Sequence, residues 1–445
     1  MQESGHWVRL LRMMRSPRLL TPVFLMMLLI GDDLAEAQQS LANYDESAVG
    51  EYVLPELLKL QDGTPVASAG MWVEQRRPEV LGLFRDHVYG RTPKVWGSVN
   101  FEVKSTKADA LGGLATRKLV QITLVGKPEW EGIELMLYVP NEKAHPAPCF
   151  VGLSFGGNHA VATETDVPIS KKWMRPSKEK GVVDNRATEA SRGTESSRWP
   201  LEMILKHGYA VATAYCGDME PDHAEGWKDG VRAVLSPDGK DTVWGESDWG
   251  AIGAWAWGLS RMLDYLETDA DVDSKHCAVI GHSRLGKTSL WAGAQDERFA
   301  LVISNDSGEG GAATMRRDFG ETTEVITRAF PHWFAPKYRS YKDDVSACPV
   351  DQHMLIALAA PRPIYVASAA EDRWADPKGE FLSAKNAGPV YELFGKEGVG
   401  VEEQPPIDQS VGETVGYHIR TGEHNVLPFD WQSYMDFADR HGFRE

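Results

Sequence analysis

The stretch VIGHSRLGKTSLW, Val279–Trp291, contains the residues for two different kinds of chemistry. Gly281–Thr288 matches the pattern G-x-x-x-x-G-K-T, in which backbone N–H groups and a lysine bind the phosphates of a nucleotide. The same residues place Ser283 directly after an apolar, strand-like run and just before a helix, where many hydrolases keep a nucleophilic serine. One interpretation predicts an ATPase and the other a serine enzyme.

Two features of the pattern itself disfavour the nucleotide interpretation. Between its glycines the loop carries His, Ser, Arg and Leu, whereas a phosphate cradle needs small residues so that backbone N–H groups can approach the anion. The motif also lies late in the chain, after several predicted strands. One feature favours it, because Leu301–Asp306 is an apolar run that ends in an acid, as a metal-binding strand would. We favour the serine enzyme and keep the ATPase as an alternative.

Partners for a nucleophilic Ser283 follow in the order acid, then histidine. Asp306 ends one strand-like run, Asp372 follows a later one, and His424 lies in a polar loop, GEHN, before the last predicted helix. Ligands and catalytic groups gather at the carboxyl ends of parallel strands, so these loops can converge. The sequence therefore predicts Ser283 as nucleophile and His424 as general base, with two aspartates available to orient the histidine.

The residues after Ser283 depart from the usual hydrolase motif. G-x-S-x-G would place a glycine at position 285, but Leu285 stands there and Gly286 comes one residue later. Arg284 directly follows the serine, so that its N–H and its guanidinium are predicted to stabilise an oxyanion. Lys287 comes one helical turn after Ser283 and is expected to face the same pocket.

From Pro148 onward, apolar strands alternate with helices, which predicts a mostly parallel sheet with helices on both faces. Antiparallel strands precede it, and together these elements predict the α/β-hydrolase architecture in one domain. The predicted strands are Asn100–Val103, Lys118–Leu124, Ile133–Val139, Cys149–Phe155, Ala210–Tyr215, Cys277–Gly281, Leu301–Ile303, Ile364–Ala367 and, weakly, Val390–Phe394. Helices are predicted at Leu201–His207, Trp249–Leu266, Lys287–Gly293, Gln352–Leu358 and Asp430–His441. Two long polar loops, 162–200 and 216–243, are expected to be functional or disordered insertions.

The composition and net charge of the chain limit the classes of molecule that it is expected to bind. The chain has 445 residues and a formal net charge of −17 without a basic patch, which argues against nucleic acid and against anionic membranes. Fifteen tryptophans are many, and several lie in polar surroundings typical of carbohydrate sites, although a place in the core is expected for most of them. The four cysteines match no metal spacing, and the sequence leaves their disulfide state open.

The N-terminus predicts a secretory signal peptide. Four arginines precede the apolar run Leu19–Gly31, and Ala35-Glu36-Ala37 follows with the small-x-small pattern of a cleavage site. We predict cleavage after Ala37, a single catalytic domain over residues 38–445, and a secreted or periplasmic monomer without stable membrane insertion. An uncleaved membrane anchor is the alternative.

Five blocks of the sequence resemble a known family. They are GHSRLGK, SNDSGEGGAA, GAIGAWAWGLSRMLDYLE, DQHMLIALAAPRPIYVASAAEDRWADPKGEF and GEHNVLPFDW, and together they resemble the bacterial glucuronoyl esterases of carbohydrate esterase family 15. The similarity extends from about Trp72 to the C-terminus. It implies an α/β-hydrolase fold and a serine esterase without metal or other cofactor. Its expected substrate is the ester between 4-O-methyl-glucuronic acid on xylan and lignin alcohols.

The resemblance also implies roles for individual residues. Ser283 matches the nucleophile, His424 the base, Arg284 the oxyanion-stabilising arginine and Lys287 a lysine that binds sugar hydroxyls. The acid of the family usually occupies the position of Asp306, where this chain has the shorter Asp instead of Glu. Some bacterial members take the acid from the position of Asp372. Because this chain has both carboxylates, we expect Asp306 to be the primary acid and Asp372 to assist or substitute for it. Further sugar contacts are implied for Glu321, Trp374 and Glu324.

Other functions remain open at this point. A different serine carbohydrate esterase, such as an acetyl-xylan esterase, would use the same catalytic residues. A sugar-binding protein without catalytic activity would use the same pocket and no nucleophile.

Overall fold

The computed structural model describes residues 42–93, 97–142 and 146–444. The predicted signal peptide lies outside these residues, so its cleavage and the domain boundary at residue 38 stay predictions. Tyr44–Glu445 form one compact unit. Among the described residues, no helix is long and apolar enough to cross a membrane.

The chain forms a mixed sheet that is parallel through its centre. The strands are β1 (Val99–Asp109), β2 (Ala115–Leu124), β3 (Ile133–Pro140), β4 (Ala147–Ser154), β5 (Val182–Val183), β6 (Arg186–Ala187), β7 (Ala210–Tyr215), β8 (Val272–His282), β9 (Leu301–Asn305), β10 (Ile364–Ala369), β11 (Gln409–Val411) and β12 (Val415–Arg420). In the described part, ten of these form one sheet in the order β1-β2-β3-β7-β4-β8-β9-β10-β12-β11. Strands β7 to β12 in this order pair in parallel, while β1, β2, β3 and the edge strand β11 pair antiparallel. This is the predicted α/β-hydrolase architecture.

Helices cover both faces of the sheet. They are α1 (Ala69–Met71), α2 (Arg77–His87), α3 (Ala110–Gly113), α4 (Asn158–Val161), α5 (Leu201–His207), α6 (Cys216–Met219), α7 (Val231–Leu235), α8 (Ala251–Leu266), α9 (Arg284–Gln295), α10 (Thr323–Ala329), α11 (Gln352–Ala357), α12 (Pro377–Asn386), α13 (Gly388–Leu393) and α14 (Pro428–Arg440), and a π-helical turn joins α1 to α2. Short 3-10 turns lie at Glu46–Ala48, Glu189–Ser191, Gly226–Asp229, Gly239–Asp241, Pro336–Tyr341, Val345–Ala347 and Arg373–Ala375.

Alternation along the buried strands divides the core in two. Cys149 and Val151 of β4 pack on the face covered by α8 and α9, whereas Phe150 packs on the opposite face against α5 and α14. Because every residue of β4 is buried, the strand reads as a continuous apolar run, as expected for a central parallel strand.

One predicted strand is wrong. The segment predicted as the strand Val390–Phe394 belongs instead to helix α13, Gly388–Leu393. Pro389 lies in the first turn of this helix, where proline is favoured, and Val390 and Tyr391 are buried. The strand that completes the parallel part is instead β12, whose sequence VGYHIR contains a histidine and an arginine inside a fully buried run. The four cysteines are buried and free.

Candidate functional site

Ser283 forms the turn between β8 and α9. The strand ends at His282 and the helix begins at Arg284, and Ser283 has φ 57° and ψ −131°, a conformation that costs a non-glycine residue energy. Its N–H donates to the Asn305 carbonyl at the end of β9, with an N–O distance of 2.9 Å. The turn therefore holds Ser283 at the carboxyl edge of the sheet.

Gly281, before the serine turn, packs directly against the backbone of Leu285 and Gly286, after the turn. A Cβ built on Gly281 would lie 1.8 Å from the Leu285 carbonyl oxygen, so only glycine fits there. The N–H groups of Gly286 and Lys287 donate to the Ser283 carbonyl at 2.8 and 3.2 Å. The amides that would bind a phosphate are thus used inside the turn, and the nucleotide interpretation loses its structural basis.

His424 is hydrogen-bonded to Asp372. The distance from His424 Nδ1 to Asp372 Oδ2 is 2.5 Å, and the Asp372 carboxylate is buried while the histidine side chain is 42% exposed. Glu371 N–H donates to the Gly422 carbonyl at 3.1 Å, which holds the loops after β10 and β12 side by side. The His424 ring centroid lies 4.4 Å from that of His282, the residue before Ser283.

Asp306, which the sequence favours as the primary acid, makes a different contact. Its Oδ2 lies 3.3 Å from Arg420 Nη2, while its buried Oδ1 has no hydrogen-bond partner in the described structure. Burial and the nearby Asp372 charge raise its pKa well above the usual range, and Arg420 opposes this effect. Asp306 leaves β9 with φ 44°, and this shorter side chain does not hydrogen-bond to His424. The contact expected of Asp306 is made by Asp372.

Arg420 holds the His424 loop in place, and sequence reasoning missed it. Its guanidinium donates to the Asp430 carboxylate, with Nε–Oδ2 2.7 Å, and to the carbonyl oxygens of Glu423 and Asn425 on either side of the histidine. The available signal was a charged residue at the end of the apolar run VGYHIR.

Among the described residues, the ligand-type atoms of Asp306, Asp372 and His424 lie within 4.8 Å of one another, as a metal site would require. The Nδ1–Oδ2 hydrogen bond joins two of these groups, and Arg420 engages the third. This pattern of internal contacts fits a histidine oriented by one carboxylate, that of Asp372.

Asp222 anchors the side chain of Arg284. The Arg284 Nε lies 2.9 Å from Asp222 Oδ2, while His332 Nε2 and Trp333 Nε1 lie 2.9 and 2.7 Å from Asp222 Oδ1. Burial alone would raise the pKa of Asp222, but Arg284 and the hydrogen bond from His332 hold it below the usual range. The guanidinium also lies over the Phe155 ring, 4.6 Å from its centroid. Asp222 comes from the predicted insertion 216–243, and the sequence alone gave it no role.

The buried carboxylate of Glu195 binds the backbone where hydrolases of this fold often bind an oxyanion. In such enzymes one donor is the amide after the nucleophile and the other comes from a loop after a neighbouring strand. Here the N–H groups of Phe155 and Gly156, directly after β4, donate to Glu195, the former at 3.2 Å. These two N–H groups are therefore occupied by Glu195, and the role of Arg284 at an oxyanion stays a prediction.

Lys287, Glu321 and Trp374 form one group. The buried Lys287 ammonium donates to the Ser307 carbonyl at 2.5 Å, and burial lowers its pKa while the Glu321 charge opposes the shift. Burial raises the pKa of Glu321 to about 7, and Trp374 hydrogen-bonds its carboxylate. Glu321 N–H also donates to the Trp374 carbonyl at 2.9 Å.

Glu324 is not part of this group. Its side chain is 44% exposed and forms an ion pair with Arg328 on the same helix, α10, at 2.7 Å. A sugar contact for Glu324 stays a prediction without a supporting contact in the described structure.

Comparison with known proteins gives consistent results. The family model "Glucuronyl esterase, fungi" matches residues 241–395. The carbohydrate esterase MZ0003, from an unknown prokaryotic organism, is 46% identical over 407 residues, covering 91% of this chain and 93% of the relative. The 4-O-methyl-glucuronoyl methylesterase of Schizophyllum commune is 33% identical and is matched over 82% of this chain and 79% of its own.

Solved structures agree with these relatives. The glucuronoyl esterase from Solibacter usitatus superposes with a TM-score of 0.84 at 50% identity, covering 89% of this chain and 99% of the other. The carbohydrate esterase family 15 glucuronoyl esterase from Teredinibacter turnerae gives 0.77 at 32%, covering 90% and 92%. The strained serine turn, the His–Asp pair and these similarities together place the chain in carbohydrate esterase family 15, the glucuronoyl esterases.

Proposed function

We propose that this chain hydrolyses carboxylic esters of glucuronic acid through an acyl-enzyme on Ser283. The observation that carries the proposal is the His424–Asp372 hydrogen bond beside a serine held at φ 57°. Such a pair, next to a serine on a strand-to-helix turn, is the arrangement with which serine esterases activate their nucleophile. Two relatives, at 37% and 33% identity, bear the name 4-O-methyl-glucuronoyl methylesterase.

Each residue then has one role. Asp372 accepts a hydrogen bond from the Nδ1–H of His424, so that Nε2 is free to take the proton of Ser283 as the hydroxyl attacks the ester carbonyl. His424 returns this proton to the leaving alcohol, and a water molecule then hydrolyses the acyl-enzyme by the same route. Arg284 stabilises the tetrahedral oxyanion with its guanidinium and with its own N–H at the start of α9.

The glucuronoyl group would bind on the side of Lys287, Glu321 and Trp374. Among the described residues, Ser307 provides the only acceptor for the Lys287 ammonium, which leaves two of its three donors for sugar hydroxyls. Glu321 adds an acceptor, and the partly exposed Trp374 offers an aromatic surface. An acetyl group would use none of these contacts, which is why we favour a uronate over an acetyl ester.

The natural substrate in this proposal joins a (4-O-methyl-)glucuronic acid branch of xylan to a lignin alcohol. We also propose that the protein acts as a monomer, either secreted or in the periplasm. The location follows from the predicted signal peptide and from the polymeric nature of the substrate.

A comparison of esters tests the function. We expect turnover of benzyl and methyl glucuronate, and much slower turnover of 4-nitrophenyl acetate and acetylated xylan. Ser283→Ala should abolish turnover, whereas Ser340→Ala, which changes an exposed serine, should leave it unchanged. Preference for acetyl esters, or full activity of Ser283→Ala, would contradict the proposal.

A further inference from the structure

Glu380 is a buried carboxylate that the catalytic arrangement does not use. It lies in the first turn of α12, and its side chain is fully buried. Among the described residues, no lysine, arginine or histidine forms an ion pair with it. Burial raises the pKa of Glu380 to about 7, while hydrogen bonds from Ser368 and from the backbone oppose this rise. The charged form therefore depends on these hydrogen bonds.

The hydrogen bonds of Glu380 fix the turn that follows β9. Its Oε1 accepts the N–H groups of Ser307 and Gly308 at 2.7 and 3.0 Å, and its Oε2 accepts the hydroxyl of Ser368, in β10, at 2.6 Å. Asp306 and Gly308 both have positive φ, 44° and 56°, so the turn has no regular hydrogen-bonding pattern of its own. Glu380 supplies the acceptors that this backbone requires.

One peptide unit joins Glu380 to Lys287. The N–H of Gly308 and the carbonyl of Ser307 belong to the same peptide; the N–H donates to Glu380, and the carbonyl accepts from the Lys287 ammonium at 2.5 Å. A negative charge at the N–H end and a positive charge at the carbonyl end polarise this peptide in the same direction. The Glu380 charge therefore strengthens the carbonyl that holds Lys287.

Two other carboxylates near Lys287 are held differently. Burial lowers the pKa of Lys287, and the charges of Glu321, Glu309 and Glu380 oppose this effect. Glu309 accepts two hydroxyl groups at 2.6 Å, and Glu321 is hydrogen-bonded by Trp374. Of these three carboxylates, Glu380 is the one that shares a peptide unit with Lys287. It both keeps the ammonium charged and fixes where the ammonium lies.

We propose that Glu380 is a positioning residue for the substrate, which acts through the peptide 307–308 to hold Lys287 as a charged donor for the hydroxyls of the glucuronoyl group. The inference rests on the proposed function, because that function assigns Lys287 to the sugar. It makes Glu380 a determinant of specificity for uronate esters over acetyl esters, although Glu380 is buried behind the site. An acetyl ester gains nothing from a well-placed Lys287.

Glu380→Gln removes the charge and keeps the shape. The amide oxygen still accepts the two N–H groups, and the NH₂ group donates to the Ser368 oxygen. At about pH 8, where Glu380 is mostly ionised, we expect KM for benzyl glucuronate to rise about 3- to 10-fold with little change in kcat, because part of one charge-assisted hydrogen bond is lost. Glu392→Gln, at an exposed site in α13, is the matched control and should keep the wild-type KM. A wild-type KM in Glu380→Gln would overturn the inference.

Glu380→Asp tests the positioning with the charge retained. The side chain is shorter by one methylene, about 1.5 Å, so its carboxylate withdraws from the peptide 307–308. We expect the ratio of kcat/KM for benzyl glucuronate to that for 4-nitrophenyl acetate to lie between the ratios of the wild type and Glu380→Gln. An Asp variant with the wild-type ratio would show that the hydrogen bonds from Glu380 do not position Lys287.

A double variant separates this role from a general loss of structure. Lys287→Met should lower the same ratio by about 10- to 100-fold, the size of one hydrogen bond from a charged group. Adding Glu380→Gln should lower it no further, because Glu380 acts through the lysine. Losses that multiply would contradict the inference. The proposed function is tested separately by the wild type, which must hydrolyse benzyl glucuronate whatever the Glu380 variants do.

Discussion

His424 and Asp372 are 52 residues apart in the chain, and their side chains meet at 2.5 Å. The contact depends on two adjacent parallel strands, β10 and β12, whose following loops lie side by side. Because Asp372 accepts from Nδ1, the neutral imidazole carries no proton on Nε2, which is the tautomer a general base requires. The orientation of the base thus comes from a different strand than the sequence favours.

The anchoring of Arg284 by Asp222 gives the first prediction. Arg284→Met removes a charge beside the developing oxyanion, so kcat on benzyl glucuronate should fall by about 10²- to 10³-fold with little change in KM. Asp222→Asn keeps the volume but loses the ion pair, and kcat should fall by about 10-fold. The double variant should be no worse than Arg284→Met alone, because Asp222 acts through the arginine. A double variant whose loss of kcat equals the two single losses multiplied together would contradict this role of Asp222. Asp343→Asn, at an exposed site, serves as the control.

The serine turn gives a prediction about stability. Gly281→Ala would place a methyl group 1.8 Å from the Leu285 carbonyl oxygen, so the turn must open. We expect the free energy of unfolding, measured with urea, to fall by about 3 kcal/mol or more, together with activity. The matched control is Gly82→Ala in α2, where no atom lies within 4 Å; it should gain about 0.5–1 kcal/mol. Equal effects of the two substitutions would contradict the tight turn.

The raised pKa of Asp218 makes the stability of the protein depend on pH. Its buried carboxyl accepts a hydrogen bond from Glu134 N–H at 3.0 Å, and burial, with the charge of Glu134, raises its pKa to about 8. In the unfolded chain the pKa is about 3.9. The contribution of Asp218 to stability is therefore complete below about pH 4 and is lost as the pH rises through about 8.

Asp218→Asn cannot ionise and should escape this loss. The difference in Tm between variant and wild type should be near zero at pH 4 and grow to about 4 °C or more by pH 8 in favour of the variant. Calorimetry across this range measures it, with the exposed Asp436→Asn as control. A Tm difference that does not change with pH would show that burial does not shift this carboxyl.

The sequence predicted the fold because its strands are long apolar runs separated by turn residues. It also located Ser283 and His424, since a serine between a strand and a helix and a histidine in a late polar loop are local patterns. The prediction of a strand at Val390–Phe394 was wrong because the buried residues of this segment fit a strand or one side of a helix equally well. Pro389, in the first turn, favours the helix.

The remaining parts of the site depend on contacts between distant residues. Asp306 and Asp372 both follow buried strands, and only the backbone direction at each strand end decides which carboxylate meets His424. Asp222 and Glu195 lie in polar insertions without periodicity, so no local pattern marks them as partners of Arg284 and of the backbone after β4.

The most direct test of this account compares Asp372→Asn with Asp306→Asn in their kcat for benzyl glucuronate. The account predicts that Asp372→Asn loses about 10²- to 10⁴-fold, because His424 loses the acceptor that sets its tautomer. Asp306→Asn, whose carboxylate meets Arg420 instead, should lose about 10-fold or less. A larger loss in Asp306→Asn than in Asp372→Asn would contradict the Ser283–His424–Asp372 arrangement.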